Sequence, residues 1–127
     1  MKLIKDALLL MEKKLGGEAL IIVWYLGRCL GETIANEVKL RKTAVTTVED
    51  ALKSVALLSQ LKLYEFSLEF SANTPSIKVS EITSNIDEAL AKGILEGYFK
   101  TLLGTKVLAE KERSESVSRA VLFTLIF

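Results

Sequence analysis

Residues 85–127 read NIDEALAKGILEGYFKTLLGTKVLAEKERSESVSRAVLFTLIF, and this stretch decides the fold. Its first part has the signals of a helix, because Ser84 or Asn85 can cap the start and Gly104 can supply the left-handed end. Residues 106–113 and 118–127 then have the composition of two strands, with a turn near residues 114–116. A capped helix followed by a hairpin predicts helices packed on an antiparallel sheet.

The last strand is apolar on both of its faces. One face carries Ala120, Leu122 and Ile126, and the other carries Val121, Phe123, Leu125 and Phe127. Successive side chains of a strand point to opposite sides, so both sides of this strand need cover. We therefore expect it to lie in the centre of the sheet, or between a helix layer and a partner.

The pattern upstream predicts three more helices. Residues 1–15 form an amphipathic helix with Ile4, Leu8, Met11 and Leu15 in one stripe, and Gly16-Gly17 ends it. Residues 18–38 form a second helix, whose first half is apolar on nearly all sides and is expected to be buried. Its main stripe is Ala19, Val23, Leu26, Leu30, Ile34 and Val38. Two possible capping boxes at residues 46–50 predict a third helix that ends near residue 61.

A change of period after residue 61 predicts two further strands. Residues 62–70 alternate apolar and polar side chains, residues 73–75 make a turn, and residues 76–83 return. The complete prediction is one α+β domain over residues 1–127, with about four helices on one face of a roughly four-stranded antiparallel sheet. Residues 1–17 are its N-terminal helix and residues 18–127 its core.

Composition excludes several classes of function. The chain has 17 Lys and Arg and 16 Asp and Glu, so its net charge is +1, which gives little electrostatic basis for binding nucleic acid. It has no histidine and one cysteine, Cys29. An ordinary structural zinc site therefore has too few ligands, and no metal or cofactor is expected. A single cysteine also favours a reducing compartment.

The hydropathy pattern predicts a cytoplasmic protein. The longest apolar run, residues 19–26, is far shorter than the roughly 20 residues of a transmembrane helix. The N-terminus lacks a cleavage site of the kind found in signal peptides. Asn and Gln are scarce, which indicates a thermophilic source.

Two local patterns resemble a known family. Residues 25–32, YLGRCLGE, resemble an early helix with Gly-x-x-x-Gly, and residues 91–98, AKGILEGY, resemble a later glycine-containing helix followed by a strand at residues 106–110. With residues 121–125, these patterns are similar to the 4-vinyl-reductase-like domain, also called the hydrocarbon-binding domain. That family shares its fold with core subunits of the TRAPP vesicle-tethering complex, and the resemblance covers most of residues 18–127.

The chain departs from this family at the zinc ligands. Many members of the family bind zinc through cysteines before the glycine helix and around the last hairpin. Glu110 aligns with the family's acidic position, but Arg113 and Val121 stand at the cysteine positions. Metal binding is therefore not carried over to this chain.

The resemblance implies a non-catalytic module that binds a small apolar or lipid-like ligand between helices and sheet. The pocket walls are predicted to be Trp24, Leu26, Cys29, Ile94 and Tyr98. Cys29 is expected to be buried, either as a small core residue or as a thiol that carries an acyl chain. The glycine patterns, Gly27 with Gly31 and Gly93 with Gly97, either pack two helices tightly, within the subunit or across a dimer, or leave room for a ligand tail.

The alternative hypothesis is a homodimeric structural or interaction subunit without a ligand, akin to the TRAPP core subunits. Its basis is surplus apolar surface on the first helix and the last strand. An enzyme is not expected, because Arg28 and Glu32 are the only polar pair near the predicted pocket. Their spacing of four residues is typical of an ordinary helix ion pair.

Overall fold

In the computed structural model, the described residues are 2–41, 67–70, 76–115 and 120–127. Three helices are present among them: α1 (Lys2–Leu15), α2 (Glu18–Arg41) and α3 (Asn85–Leu103). The strands are β1 (Ser67–Phe70), β2 (Ser76–Ser80), β3 (Leu108–Glu115) and β4 (Ala120–Ile126).

The body of the sheet consists of β2, β4 and β3, with β4 in the middle and antiparallel to both neighbours. Phe123 of β4 lies opposite Ile77 of β2 on one side and Lys111 of β3 on the other. The short β1 pairs with the outer edge of β2. The last strand is therefore central, as its two-sided apolar pattern predicted.

The α+β class is confirmed by the described residues. The count of about four helices stays a prediction, because the predicted third helix lies outside the described residues. The count of roughly four strands also stays a prediction, because the turn at residues 73–75 and most of the strand predicted at residues 62–70 lie outside the described residues as well.

Helix α3 begins and ends at the predicted residues. Ser84 caps its start, since the Ser84 hydroxyl accepts a hydrogen bond from the Asp87 backbone N–H at 3.2 Å. Gly104 ends it in the left-handed conformation, with φ of 69° and an N–H that donates to the Lys100 carbonyl at 2.8 Å. Gly16 ends α1 in the same conformation, with φ of 66°.

The glycine patterns of α2 and α3 face each other within the chain. A Cβ atom at Gly27 or Gly31 would collide with the α3 backbone around Ile94, and one at Gly93 or Gly97 would collide with the α2 backbone. Contacts advance in the same direction along both helices, so α2 and α3 lie side by side and parallel. Tight helix packing is confirmed, and the alternative of a gap for a ligand tail is wrong because backbone fills that space.

Among the residues that the structure describes, the core consists of two clusters joined by α3. One cluster lies between α3, the second half of α2 and the sheet, and includes Tyr98, Phe99 and Phe123, all fully buried. The other lies between α1 and the first halves of α2 and α3, and includes Leu8, Val23 and Ile86. Apolar side chains of α3 supply both clusters, so this helix is the centre of the fold.

The prediction that the first half of α2 is buried nearly all round is wrong. Ile21, Ile22 and Tyr25 are 67%, 49% and 64% exposed. The cause is that α2 meets α3 on its glycine side and α1 along a second strip, while no other described element covers its remaining surface. The predicted stripe holds at Ala19, Val23, Ile34 and Val38, which are buried, but fails at Leu26, which is exposed.

The predicted stripe of α1 is also only partly correct. Leu8 is buried and Met11 packs against the second cluster, but Ile4 and Leu15 are about half exposed. Helix α1 thus touches the body of the protein along a narrower strip than its sequence suggests.

Candidate interaction surface

Trp24 and Glu96 connect the two parallel helices to the sheet. The Trp24 indole N–H donates to Glu96 Oε1 at 2.6 Å, and the Ala109 backbone N–H donates to Glu96 Oε2 at 2.9 Å. Lys92 Nζ approaches Oε2 at 3.3 Å. Glu96 is 1% exposed, so these donors stabilise a carboxylate that would otherwise be costly to bury.

Two cations lie near the Trp24 ring. The Arg28 guanidinium carbon is 5.0 Å from the ring centroid, and Lys92 Nζ is 5.9 Å from it. Within the described residues Arg28 forms no ion pair with Glu32. The ion pair that their spacing of four residues predicted is therefore not formed. Arg28 instead packs along α2 toward Trp24.

The five predicted wall residues lie in three different environments. Trp24 is half-buried in the Glu96 network, while Leu26 and Cys29 are exposed. Ile94 and Tyr98 are buried in separate clusters of the core. Cys29 follows Gly27 by two residues, about 200° around the helix, and so lies on the side of α2 opposite α3. The expectation of a buried thiol at Cys29 is therefore wrong.

A polar cleft lies where α2 passes the C-terminal end of α3. Its volume is about 250 Å³, and its lining residues are Arg28, Glu32, Gly97, Lys100, Thr101 and Gly104. The side chains offer two cations, one carboxylate and one hydroxyl, which suits hydrogen bonding to a small polar molecule rather than to an apolar one. None of the five predicted wall residues lines this cleft.

Exposed apolar side chains are concentrated on α1 and the first half of α2. These two helices form a hairpin through Gly16 and Gly17. We call their exposed large apolar side chains the α1–α2 surface. Its members are Leu3, Ile4, Leu10, Leu15, Ile21, Ile22, Tyr25 and Leu26, with exposed fractions from 42% to 85%. Isolated exposed apolar residues are common in proteins, whereas eight on two adjacent helices make this surface a candidate for interaction.

Charges of both signs accompany this surface. Asp6 and Glu18 are exposed on the two helices, as are Lys13 and Lys14 near the end of α1. A surface that carries both signs can complement a second copy of itself. The acidic residues make it less suited to an anionic lipid surface, which attracts cations alone.

Sequence patterns did not reveal the two buried carboxylates, Asp87 and Glu96. Both stand on α3, and both are at most 1% exposed. The only available signal was position: Glu96 stands between Leu95 and Gly97, inside a run of apolar and small residues. Its partners come from α2 and β3, far away in sequence, and such pairing cannot be deduced from periodicity.

Comparison of the chain with protein-family models and with curated proteins finds no match. The resemblance to the hydrocarbon-binding domain therefore stays a prediction. None of the helices that the structure describes is long and apolar enough to cross a membrane. Over the same part of the chain, no three His, Cys, Asp or Glu side chains come together as possible metal ligands.

Proposed function

We propose that this chain is a non-catalytic interaction module that forms a homodimer through the α1–α2 surface. The observation that carries the proposal is the exposure of large apolar side chains on two adjacent helices, led by Leu3 at 85% and Ile21 at 67%. Burial of one such side chain against a partner contributes about 1–2 kcal/mol. Eight of them supply enough driving force to offset the loss of freedom on association.

A second copy of the chain is the occupant that the charges favour. In a twofold symmetric dimer each copy uses the same patch, so a residue of one copy meets a different residue of the other. If two α1 helices pair antiparallel about a point near Leu10, Asp6 of one copy comes close to Lys14 of the other. Asp6, in the second turn of α1, and Lys14, in its last turn, thus complement each other across the two copies.

The interior of the protein supports a structural role more than an apolar binding site. The two glycine pairs are closed by backbone, and the predicted wall residues do not surround one described cavity. Glu96 accepts hydrogen bonds at both carboxylate oxygens from groups that hold the fold together. No described pocket supports the binding of an apolar ligand, whereas the exposed α1–α2 surface supports association with a second copy.

The proposal agrees with the resemblance to TRAPP core subunits that the glycine patterns suggested. That resemblance is untested, and the proposal does not depend on it. It depends on the exposed surface alone, so it can be tested without any knowledge of the family.

The test is a matched pair of substitutions, Ile21→Glu on the α1–α2 surface and Ile126→Glu at the end of β4. Ile126 is 41% exposed and stands on β4, outside the α1–α2 surface, so both variants place the same charge at an exposed isoleucine. We expect Ile21→Glu to raise the dimer dissociation constant at least about tenfold, because each interface would hold two charges without partners. Ile126→Glu should leave the constant unchanged.

Sedimentation equilibrium measures both constants directly, and circular dichroism checks that both variants keep the helical content of the native chain. Equal weakening by the two variants, or no weakening by Ile21→Glu, would show that the dimer uses another surface.

A further inference from the structure

Helix α1 has a weak apolar connection to the rest of the protein. Leu8 is its only buried side chain among those described. It is joined to α2 by Gly16 and Gly17, where an added Cβ would meet no atom within 4 Å. Leu9 and Met11 are partly buried and pack against the second cluster beside Leu8. A helix held by this narrow strip and a glycine linker is oriented more firmly by a further contact.

A polar contact of this kind lies at the other end of α1. Lys5 Nζ donates to the Thr83 hydroxyl at 2.8 Å and lies 3.5 Å from Asp87 Oδ2. The Thr83 hydroxyl and backbone N–H both donate to that same oxygen, at 2.8 and 2.9 Å. We call Lys5, Thr83 and Asp87 the α1 anchor. It joins α1 to the first turn of α3, across 82 residues of sequence.

The burial of Asp87 makes this contact strong. Asp87 is 0% exposed, and within the described residues its second oxygen, Oδ1, has no hydrogen-bond partner. An ionised carboxylate in such a place requires a counter-charge, and Lys5 supplies one at an exposed fraction of only 15%. The N-terminus of α3 adds a favourable dipole. Without Lys5, the carboxylate would remain buried with less compensation.

We propose that Lys5 and Asp87 are positioning residues that fix α1 in the orientation required for dimerisation. This inference rests on the proposed function. Leu3, Ile4 and Leu10 stand on α1, while Ile21, Ile22 and Tyr25 stand on α2. The two groups form one surface only while α1 is docked. The α1 anchor therefore controls the assembly of the interface, although none of its side chains belongs to that interface.

The test compares Lys5→Met and Asp87→Asn with the control Glu88→Gln. Glu88 neighbours Asp87 in the first turn of α3, but its carboxylate pairs with Lys111 of β3 at 3.1 Å and not with α1. Lys5→Arg serves as the conservative variant, because it keeps the cation. Each protein is measured by hydrogen exchange with peptide resolution and by sedimentation equilibrium.

We expect Lys5→Met and Asp87→Asn to speed amide exchange in residues 2–15 by about tenfold or more, with α3 and β4 as protected as in the native chain. The dimer dissociation constant should rise about tenfold in the same variants. Glu88→Gln should change neither quantity, and Lys5→Arg should restore both. Faster exchange throughout the protein would instead show a general structural role and overturn the proposal.

The two proposals fail in distinguishable ways. If the native chain is a monomer, the proposed function is wrong, while exchange in residues 2–15 still reports on the α1 anchor. If the native chain is a dimer and Lys5→Met leaves α1 protected, the anchor proposal is wrong and the proposed function stands. Should Asp87→Asn fail to fold, Lys5→Met and Lys5→Arg decide the question, because they leave the buried carboxylate in place.

Discussion

The two halves of α2 carry similar apolar side chains but lie in opposite environments. In the second half, Ile34 and Val38 are 7% exposed and pack between α3 and the sheet. In the first half, Ile21 and Tyr25 are more than 60% exposed. The second half reaches a layer of strands, whereas among the described elements the first half meets only α1 and α3. The amount of apolar surface thus exceeds what one copy of the fold covers in its described part.

This difference separates the residues that stabilise the folded chain from those that we propose mediate its association. The closed half, around α3 and the sheet, has backbone contacts and a buried hydrogen-bond network that a single chain completes by itself. The open half, around α1, has exposed apolar side chains that the proposed second copy would cover. Substitutions in the closed half should therefore change the free energy of unfolding, and those in the open half should change association.

The largest effect is expected at Gly97. Gly97→Val would drive a branched side chain into the Arg28 carbonyl and Cα, where backbone cannot easily move. We expect the free energy of unfolding to fall by about 3 kcal/mol or more, since overpacking at a closed contact separates the helices. Gly17→Ala is the matched control, because a Cβ there meets nothing within 4 Å. Urea denaturation of both variants measures the difference, and equal stabilities would contradict the close packing of α2 and α3.

A smaller effect is expected at Glu96. Glu96→Ala removes the acceptor of the Trp24 indole N–H and of the Ala109 backbone N–H. Both donors then lose their hydrogen bond at the buried junction of α2, α3 and β3. We expect a loss of about 2–3 kcal/mol in the free energy of unfolding. Trp24 is the only tryptophan, so its fluorescence reports the same change locally.

Glu110→Ala provides the comparison for that variant, because Glu110 is an exposed carboxylate on the neighbouring β3. Its stability should stay within about 0.5 kcal/mol of the native chain. If Glu96→Ala behaved like Glu110→Ala, the network would not connect α2 and α3 to the sheet.

The sequence predicted the closed half well because local signals and tertiary packing agree there. Ser84 and Gly104 set the bounds of α3, the apolar pattern on both faces of the last strand predicted its central position, and the glycine patterns predicted close helix contact. The open half was predicted less well. A helix that is apolar on most sides has the same pattern whether a core or a partner covers it, so the exposure of Tyr25 and Cys29 could not be deduced.

The buried carboxylates were missed for a different reason. Asp87 and Glu96 have the spacing of ordinary charged helix residues, and Lys5 and Trp24, their partners, lie more than 70 residues away. Pairing at that distance depends on how α1 and α2 meet α3, which periodicity does not encode. The glycine contact that brings Trp24 next to α3 is the link that a sequence pattern could have provided.

The most direct test is native mass spectrometry of the freshly purified chain, repeated after denaturation. We predict a species of twice the 14.0 kDa chain mass, without any additional bound mass. A monomer at micromolar concentration would contradict the proposed homodimer. A monomer that carries a reproducible extra mass, released by denaturation, would contradict it more strongly and would favour binding of an apolar ligand instead.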